Sequence, residues 1–74
     1  MSDVEFCLNT ARALLPDLGK VAVFVNRALA YTVDLRLRFL LLPALAAISR
    51  NDAEAAARWL DRAITHEQSR HRPD

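Results

Sequence analysis

Residues 20–50, KVAVFVNRALAYTVDLRLRFLLLPALAAISR, decide the fold of this 74-residue chain, because they hold most of its large apolar side chains. From Val21 onward, apolar residues recur at alternating spacings of four and three, the pattern of a helix that packs along one heptad seam. The seam consists of Val21, Val25, Ala28, Thr32, Leu35, Phe39 and Leu42. It predicts a central helix over about residues 20–42, which Pro43 kinks or breaks.

A β-hairpin is the alternative for the same stretch. Residues 20–26 are rich in β-branched side chains, and residues 33–42 begin with an apolar and polar alternation of period two. The connector 27–31 contains no glycine or proline and consists largely of good helix formers. The connector therefore favours a helix, and an α+β fold with strands at 20–26 and 33–42 remains the second interpretation.

A first helix is predicted from Asp3 to Leu15, before Pro16. Ser2 and Glu5 have the spacing of a capping box, in which each side chain binds a free N–H group of the first turn. After the cap, apolar residues recur three and four positions apart, as in an amphipathic helix. Its apolar positions are Val4, Cys7, Leu8, Ala11, Leu14 and Leu15.

A last helix is predicted over about residues 52–68, with Asn51 and Glu54 as its cap. Glu54 and Arg58 are spaced for an ion pair one turn apart. The apolar face of this helix carries Ala53, Ala56, Ala57, Leu60, Ala63 and Ile64. From Asn51 to Ala63 the pattern of small, large and small residues resembles the second half of a tetratricopeptide repeat, which implies a close-packed helical hairpin. Pro43 does not fit the first half of that repeat, and no family is assigned.

The chain therefore predicts one small all-α domain, an antiparallel bundle of three to four helices over residues 1–68, followed by a disordered basic tail at 69–74. Hydrophobic residues make up 53% of a chain that is too short to bury a large core. Such chains often gain stability by self-association, so a homodimer is expected. The richness in alanine, arginine and leucine is typical of a bacterial genome with high GC content.

The sequence shows no arrangement of residues typical of a catalytic or metal site. Cys7 has no predicted base beside it, so we predict that it is a small buried apolar residue. His66 and His71 are five residues apart, so a regular helix does not present both to one metal, and solvated tail histidines are expected. No enzyme activity, cofactor or metal site is predicted. A single cysteine fits the reducing cytoplasm, and the apolar run from Phe39 to Ile48 is too short for the roughly 20 residues of a membrane span.

The pattern of the central helix predicts a protein interface along it. Arg36 and Arg38 lie on opposite flanks of the heptad seam, where charges set partner choice, and Asp34 is spaced to pair with Arg38. Tyr31 and Trp59 are candidate anchors, because aromatic side chains dominate interface energetics. The predicted interface residues are Val21, Phe24, Val25, Ala28, Tyr31, Leu35, Arg36, Arg38, Phe39 and Trp59.

These features favour a non-enzymatic protein–protein interaction module, such as an adaptor, chaperone or inhibitor of a larger protein, that self-associates through the seam. One alternative is a small DNA-binding regulator that uses Arg58, Arg62 and the basic tail, although a net charge of +1 gives little general attraction to nucleic acid. The second alternative is a helix at a membrane surface, over residues 37–48.

Overall fold

The computed structural model describes residues 2–70 and folds them into four α-helices. They are α1 (Asp3–Leu14), α2 (Leu18–Tyr31), α3 (Leu35–Ser49) and α4 (Ala53–Arg70). α1 packs mainly against α2, and α3 packs mainly against α4, so two helical hairpins meet around one core. The predicted all-α fold is confirmed. Residues 2–70 contain no strand, so the β-hairpin at 20–26 and 33–42 is not supported.

The first two helices begin at side-chain caps. Ser2 Oγ accepts a hydrogen bond of 3.1 Å from the Glu5 N–H, as the capping box predicts. Asp17 Oδ1 accepts one of 3.4 Å from the Lys20 N–H, so α2 begins just before the predicted position. Each cap satisfies an N–H group that has no partner inside its own helix.

The predicted central helix over residues 20–42 is wrong, because the chain leaves the helix between Thr32 and Asp34. Thr32 has extended backbone angles, φ −87° and ψ 142°. Its Oγ1 accepts a hydrogen bond of 3.1 Å from the Asp34 N–H, and Asp34 Oδ1 then accepts one of 3.0 Å from the Arg36 N–H. Threonine and aspartate thus supply the backbone with local partners that compete with helical ones, and Asp34 becomes the N-cap of α3.

This break changes which side of α3 enters the core. Residues of an α-helix lie about 100° apart, so in one continuous helix Leu37 and Leu41 would point away from Val21 and Val25. In the structure the side chains of all four are fully buried in the same core cluster. The turn therefore reverses the chain and also selects a different face of α3 from the one that the heptad seam predicts.

Pro43 lies inside α3, so the predicted kink or break at this residue is not confirmed. A proline in a helix removes the N–H group that the carbonyl four residues earlier would accept. Here that carbonyl belongs to Phe39, whose residue is 70% exposed. Because water reaches this side of the helix, the loss of one internal hydrogen bond is tolerated.

The turn between α3 and α4 is built around Asn51, which has a positive φ of 61°. The Asn51 N–H donates to the Ile48 carbonyl and the Asp52 N–H donates to the Ala47 carbonyl, each at 2.9 Å, which is the Schellman arrangement. Asp52 Oδ1 accepts from the Ala55 N–H at 3.0 Å, so Asp52 caps α4 in place of the predicted Asn51. α4 then continues to Arg70, into the predicted tail. Residues 71–74 of that tail lie outside the described residues.

The core is narrow and relies on small side chains where α3 meets α4. The side chains of Ala44 and Ala47 on α3 and of Ala56 on α4 are fully buried. Small residues allow two helix backbones to approach closely, as the alanine-rich face of the last helix suggests. The largest fully buried apolar side chains are Leu8, Leu37, Leu41, Leu60, Val21 and Val25.

This packing predicts opposite outcomes for two neighbouring alanines of α3. Ala47→Leu adds volume to a fully buried position, so we expect it to lower the free energy of unfolding by about 1–3 kcal/mol. Ala46→Leu adds the same atoms at an exposed position, and we expect a change within about 0.5 kcal/mol. Urea unfolding followed by circular dichroism measures both. Equal losses from the two variants would contradict close packing between α3 and α4.

Candidate protein-interaction face

The outer side of α3 is apolar, although it faces solvent. Leu35, Phe39 and Leu42 are 69%, 70% and 53% exposed, and Ala46 is exposed as well. Their spacings of four, three and four place them within about 60° of one another around the helix. We call these four residues the α3 face. Contiguous exposed apolar side chains of this kind make the α3 face a candidate interaction site.

Two further exposed apolar side chains precede α3 in the sequence. Tyr31, the last residue of α2, is 57% exposed, and Val33 in the turn is 91% exposed. Seven large hydrophobic side chains are exposed among residues 2–70, and five of them fall between Tyr31 and Leu42. This clustering distinguishes the region from the isolated exposed residues Phe6 and Val23.

Arginines border the α3 face on both sides. Arg36 and Arg38 are exposed, and helical geometry places them about 70–90° to either side of the centre of the face. Arg50, the C-cap of α3, adds a third positive charge at the far end. No carboxylate occurs in residues 35–51. The border of the face is therefore positive at both ends of α3 and carries no negative charge from residues 35–51.

Arg38 also supports the turn beneath the face. Its guanidinium Nη1 donates a hydrogen bond of 2.9 Å to the Leu29 carbonyl, in the last turn of α2. Carbonyls at the end of a helix have no internal partner, so this contact satisfies one of them. The predicted pair between Asp34 and Arg38 is replaced by this capping contact, since Asp34 has other partners.

The carboxylate of Asp34 joins the turn to the last helix. His66 Nε2 lies 2.7 Å from Asp34 Oδ2, and Arg70 Nε lies 3.5 Å from the same oxygen. The hydrogen bond with His66 lowers the pKa of Asp34. The hydrogen bond from the Arg36 N–H and the charges of His66 and Arg70 also lower this pKa, whereas burial raises it. An ionised carboxylate only accepts hydrogen bonds, so His66 donates from Nε2.

Two residues near this contact were not found from the sequence. The sequence predicts His66 as a solvated tail histidine, yet its side chain is only 23% exposed and bound to Asp34. Glu67, which the sequence analysis does not single out, is 2% exposed and receives the Arg70 guanidinium at 3.2 Å. The signal for Glu67 was available, because it continues the buried row of Ala56, Leu60 and Ala63 along α4.

The structure divides the ten predicted interface residues into three groups. Val21, Val25 and Ala28 are fully buried in the chain's own core. Phe24 and Trp59 are partly buried, and each has an arginine over its ring, Arg27 at 5.1 Å and Arg62 at 4.9 Å respectively. The other five are exposed: Tyr31 at the end of α2, and Leu35, Arg36, Arg38 and Phe39 on α3.

The surface proposed for DNA carries charges of both signs. Arg58 pairs with Glu54 at 3.2 Å, as the sequence predicts, and Asp61 pairs with Arg12 at 2.8 Å. The apolar stretch 37–48 proposed for a membrane surface is divided, since Leu37 and Leu41 lie in the core. No helix within the described part of the chain is long and apolar enough to cross a bilayer.

The remaining reactive groups are unremarkable in their placement. Cys7 is buried, as predicted, and burial raises the pKa of its thiol, which disfavours the nucleophilic thiolate. Among residues 2–70, no group of three or more histidine, cysteine, aspartate or glutamate side chains is placed to hold a metal ion.

Comparisons with protein-family models, curated proteins and solved structures find no match to this chain.

The Asp34 contacts predict an acid-sensitive contribution to stability. Because the pKa of Asp34 is lower in the folded chain than the ordinary 3.8, its contribution is complete above that value and is lost as the pH falls through the folded pKa. We expect Asp34→Asn to lower the free energy of unfolding at pH 7, and the difference from the unmodified chain to shrink below about pH 4. Urea unfolding at a series of pH values measures this difference.

Asp52→Asn is the matched control for this prediction, since Asp52 also caps a helix but lies in an exposed turn. We expect it to cause a smaller loss at pH 7 than Asp34→Asn. A difference between the Asp34→Asn variant and the unmodified chain that stays constant from pH 7 to pH 2 would show that the charge of Asp34 does not stabilise the turn.

Proposed function

We propose that this chain is a non-enzymatic protein–protein interaction module, an adaptor that binds an amphipathic helix of another protein along the α3 face. The partner helix has an apolar stripe with carboxylates on both edges. The observation that carries this proposal is an exposed apolar stripe with arginines on both sides and no acidic residue along it. We also propose that the protein acts in the cytoplasm, because its one cysteine, Cys7, is free and buried, as is usual in a reducing compartment.

The apolar part of the face supplies a modest driving force. Burying a whole leucine or phenylalanine side chain contributes about 1.5–3 kcal/mol. Leu35, Phe39 and Leu42 are already partly covered, so docking would contribute on the order of 1 kcal/mol for each. The three side chains together contribute only about 3 kcal/mol, so the favourable charges at the border of the face are needed as well, and we expect a weak, transient complex with a dissociation constant of about 10–100 µM.

The charges select the kind of partner. Arg36 and Arg38 favour glutamate or aspartate at the edges of the docked helix, and like charges there would be repelled. A second copy of the chain, the partner that the sequence predicts, would bring arginines and no carboxylates to the same edges if α3 packed on α3. A helix of opposite charge pattern therefore fits the α3 face better than a homodimer through this face.

Two synthetic helical peptides test this proposal. Both carry the same leucine stripe, and the edges of the stripe are glutamates in one peptide and lysines in the other. We expect fluorescence anisotropy to give a micromolar dissociation constant for the glutamate peptide and binding at least about tenfold weaker for the lysine peptide. Arg36→Glu should reduce this preference, and added salt should weaken the binding of the glutamate peptide.

Two variants locate the binding site. Phe39→Ser should weaken binding of the glutamate peptide at least about tenfold, because Phe39 is the largest side chain of the face. Val23→Ser removes a similarly exposed apolar residue from α2 and should leave binding unchanged. Equal binding of both peptides, or no binding at about 100 µM, would contradict the proposal. Phe39-dependent binding to anionic vesicles without peptide binding would instead assign the face to a membrane.

A further inference from the structure

Pro43 gives the α3 face a backbone acceptor that a regular helix does not have. Within α3, the carbonyl of Phe39 would accept a hydrogen bond from the N–H group of residue 43, and proline has no such group. Helical geometry places Pro43 about 40° from Phe39, toward the Arg36 side of the face. Helical geometry therefore puts the Phe39 carbonyl, which lacks its usual N–H partner, at the Arg36 edge of the surface that we propose a docked helix covers.

Covering this carbonyl has a consequence for binding. In the free protein Phe39 is 70% exposed, and we expect its carbonyl oxygen, which lacks the N–H partner of a regular helix, to bind water instead. A fully apolar partner would displace that water without replacing its hydrogen bond, and a buried unpaired acceptor disfavours the complex. A partner with a donor at this point avoids the loss and is held in one register along α3.

We propose that the carbonyl oxygen of Phe39 accepts a hydrogen bond from an amide or hydroxyl side chain, such as glutamine, within the apolar stripe of the partner helix. This inference rests on the proposed docking of an acid-flanked helix on the α3 face. A second copy of α3 lacks such a donor, because the side chains of its face are Leu35, Phe39, Leu42 and Ala46. The Phe39 carbonyl therefore requires a polar residue within the apolar stripe of the partner helix, in addition to the carboxylates at the edges of that stripe.

The test compares two peptides and two proteins. The peptides are the glutamate-edged helix with leucine at the centre of its stripe, and the same helix with glutamine there. The proteins are the unmodified chain and Pro43→Ala, which restores the N–H group and pairs the Phe39 carbonyl inside α3. A change in the shape of α3 alone would affect both peptides alike, so the informative quantity is the ratio of their dissociation constants.

We expect Pro43→Ala to reduce the preference for the glutamine peptide over the leucine peptide by at least about fivefold, the loss associated with one unpaired buried acceptor. It should also raise the midpoint of urea unfolding, since alanine is the better helix former. An unchanged ratio, with both peptides binding, would overturn the inference and leave the docking face intact. Failure of both peptides to bind either protein would overturn the proposed function along with it.

Discussion

The carboxylate of Asp34 is the constraint on which the arrangement of the helices depends. It caps α3 through the Arg36 N–H and binds His66 and Arg70 of α4. Directly after Thr32 has ended the helical run of residues 18–31, this one side chain starts the next helix and fixes it to the last one. A capping residue typically contributes about 1 kcal/mol, a large share of the stability of a chain this small.

The turn at Asp34 gives α3 two separate roles. Its inner side, with Leu37 and Leu41, fills the core between the two hairpins. Its outer side, with Leu35, Phe39 and Leu42, remains exposed between two arginines. A helix that is apolar nearly all round implies contacts on more than one side, and only one of these sides is covered within the described chain. The uncovered side is the basis of the proposed function.

Local signals in the sequence predicted much of the fold. The Ser2 cap, the amphipathic pattern of α1 and the pair of Glu54 with Arg58 depend on residues within one turn of each other, and they appear in the structure. The break at Thr32–Asp34 was missed because the heptad spacing continues through it without interruption. Threonine followed by aspartate was a usable signal, since both residues form side-chain bonds that end and begin helices.

The remaining differences came from contacts between residues far apart in the chain. His66 looked like a tail residue, and its bond to Asp34 across the chain places it in the structured part. Pro43 has the pattern of a helix breaker, yet it lies inside α3, on a side of the helix where Phe39, the residue whose carbonyl it leaves without a partner, is 70% exposed. Exposure to solvent is a property of the assembled helices. Solvent exposure in the assembled structure also separates the predicted interface residues that lie in the core from those that lie on the surface.

The most direct test of this account compares alanine substitutions on the two sides of α3. Leu37→Ala should lower the free energy of unfolding by about 2–5 kcal/mol, as for other leucines in a core, and Leu35→Ala should change it by less than about 1 kcal/mol. Denaturant unfolding of the two variants measures both values. The opposite order, with Leu35 essential and Leu37 dispensable, would show that the chain follows the uninterrupted heptad seam and that the α3 face is not exposed.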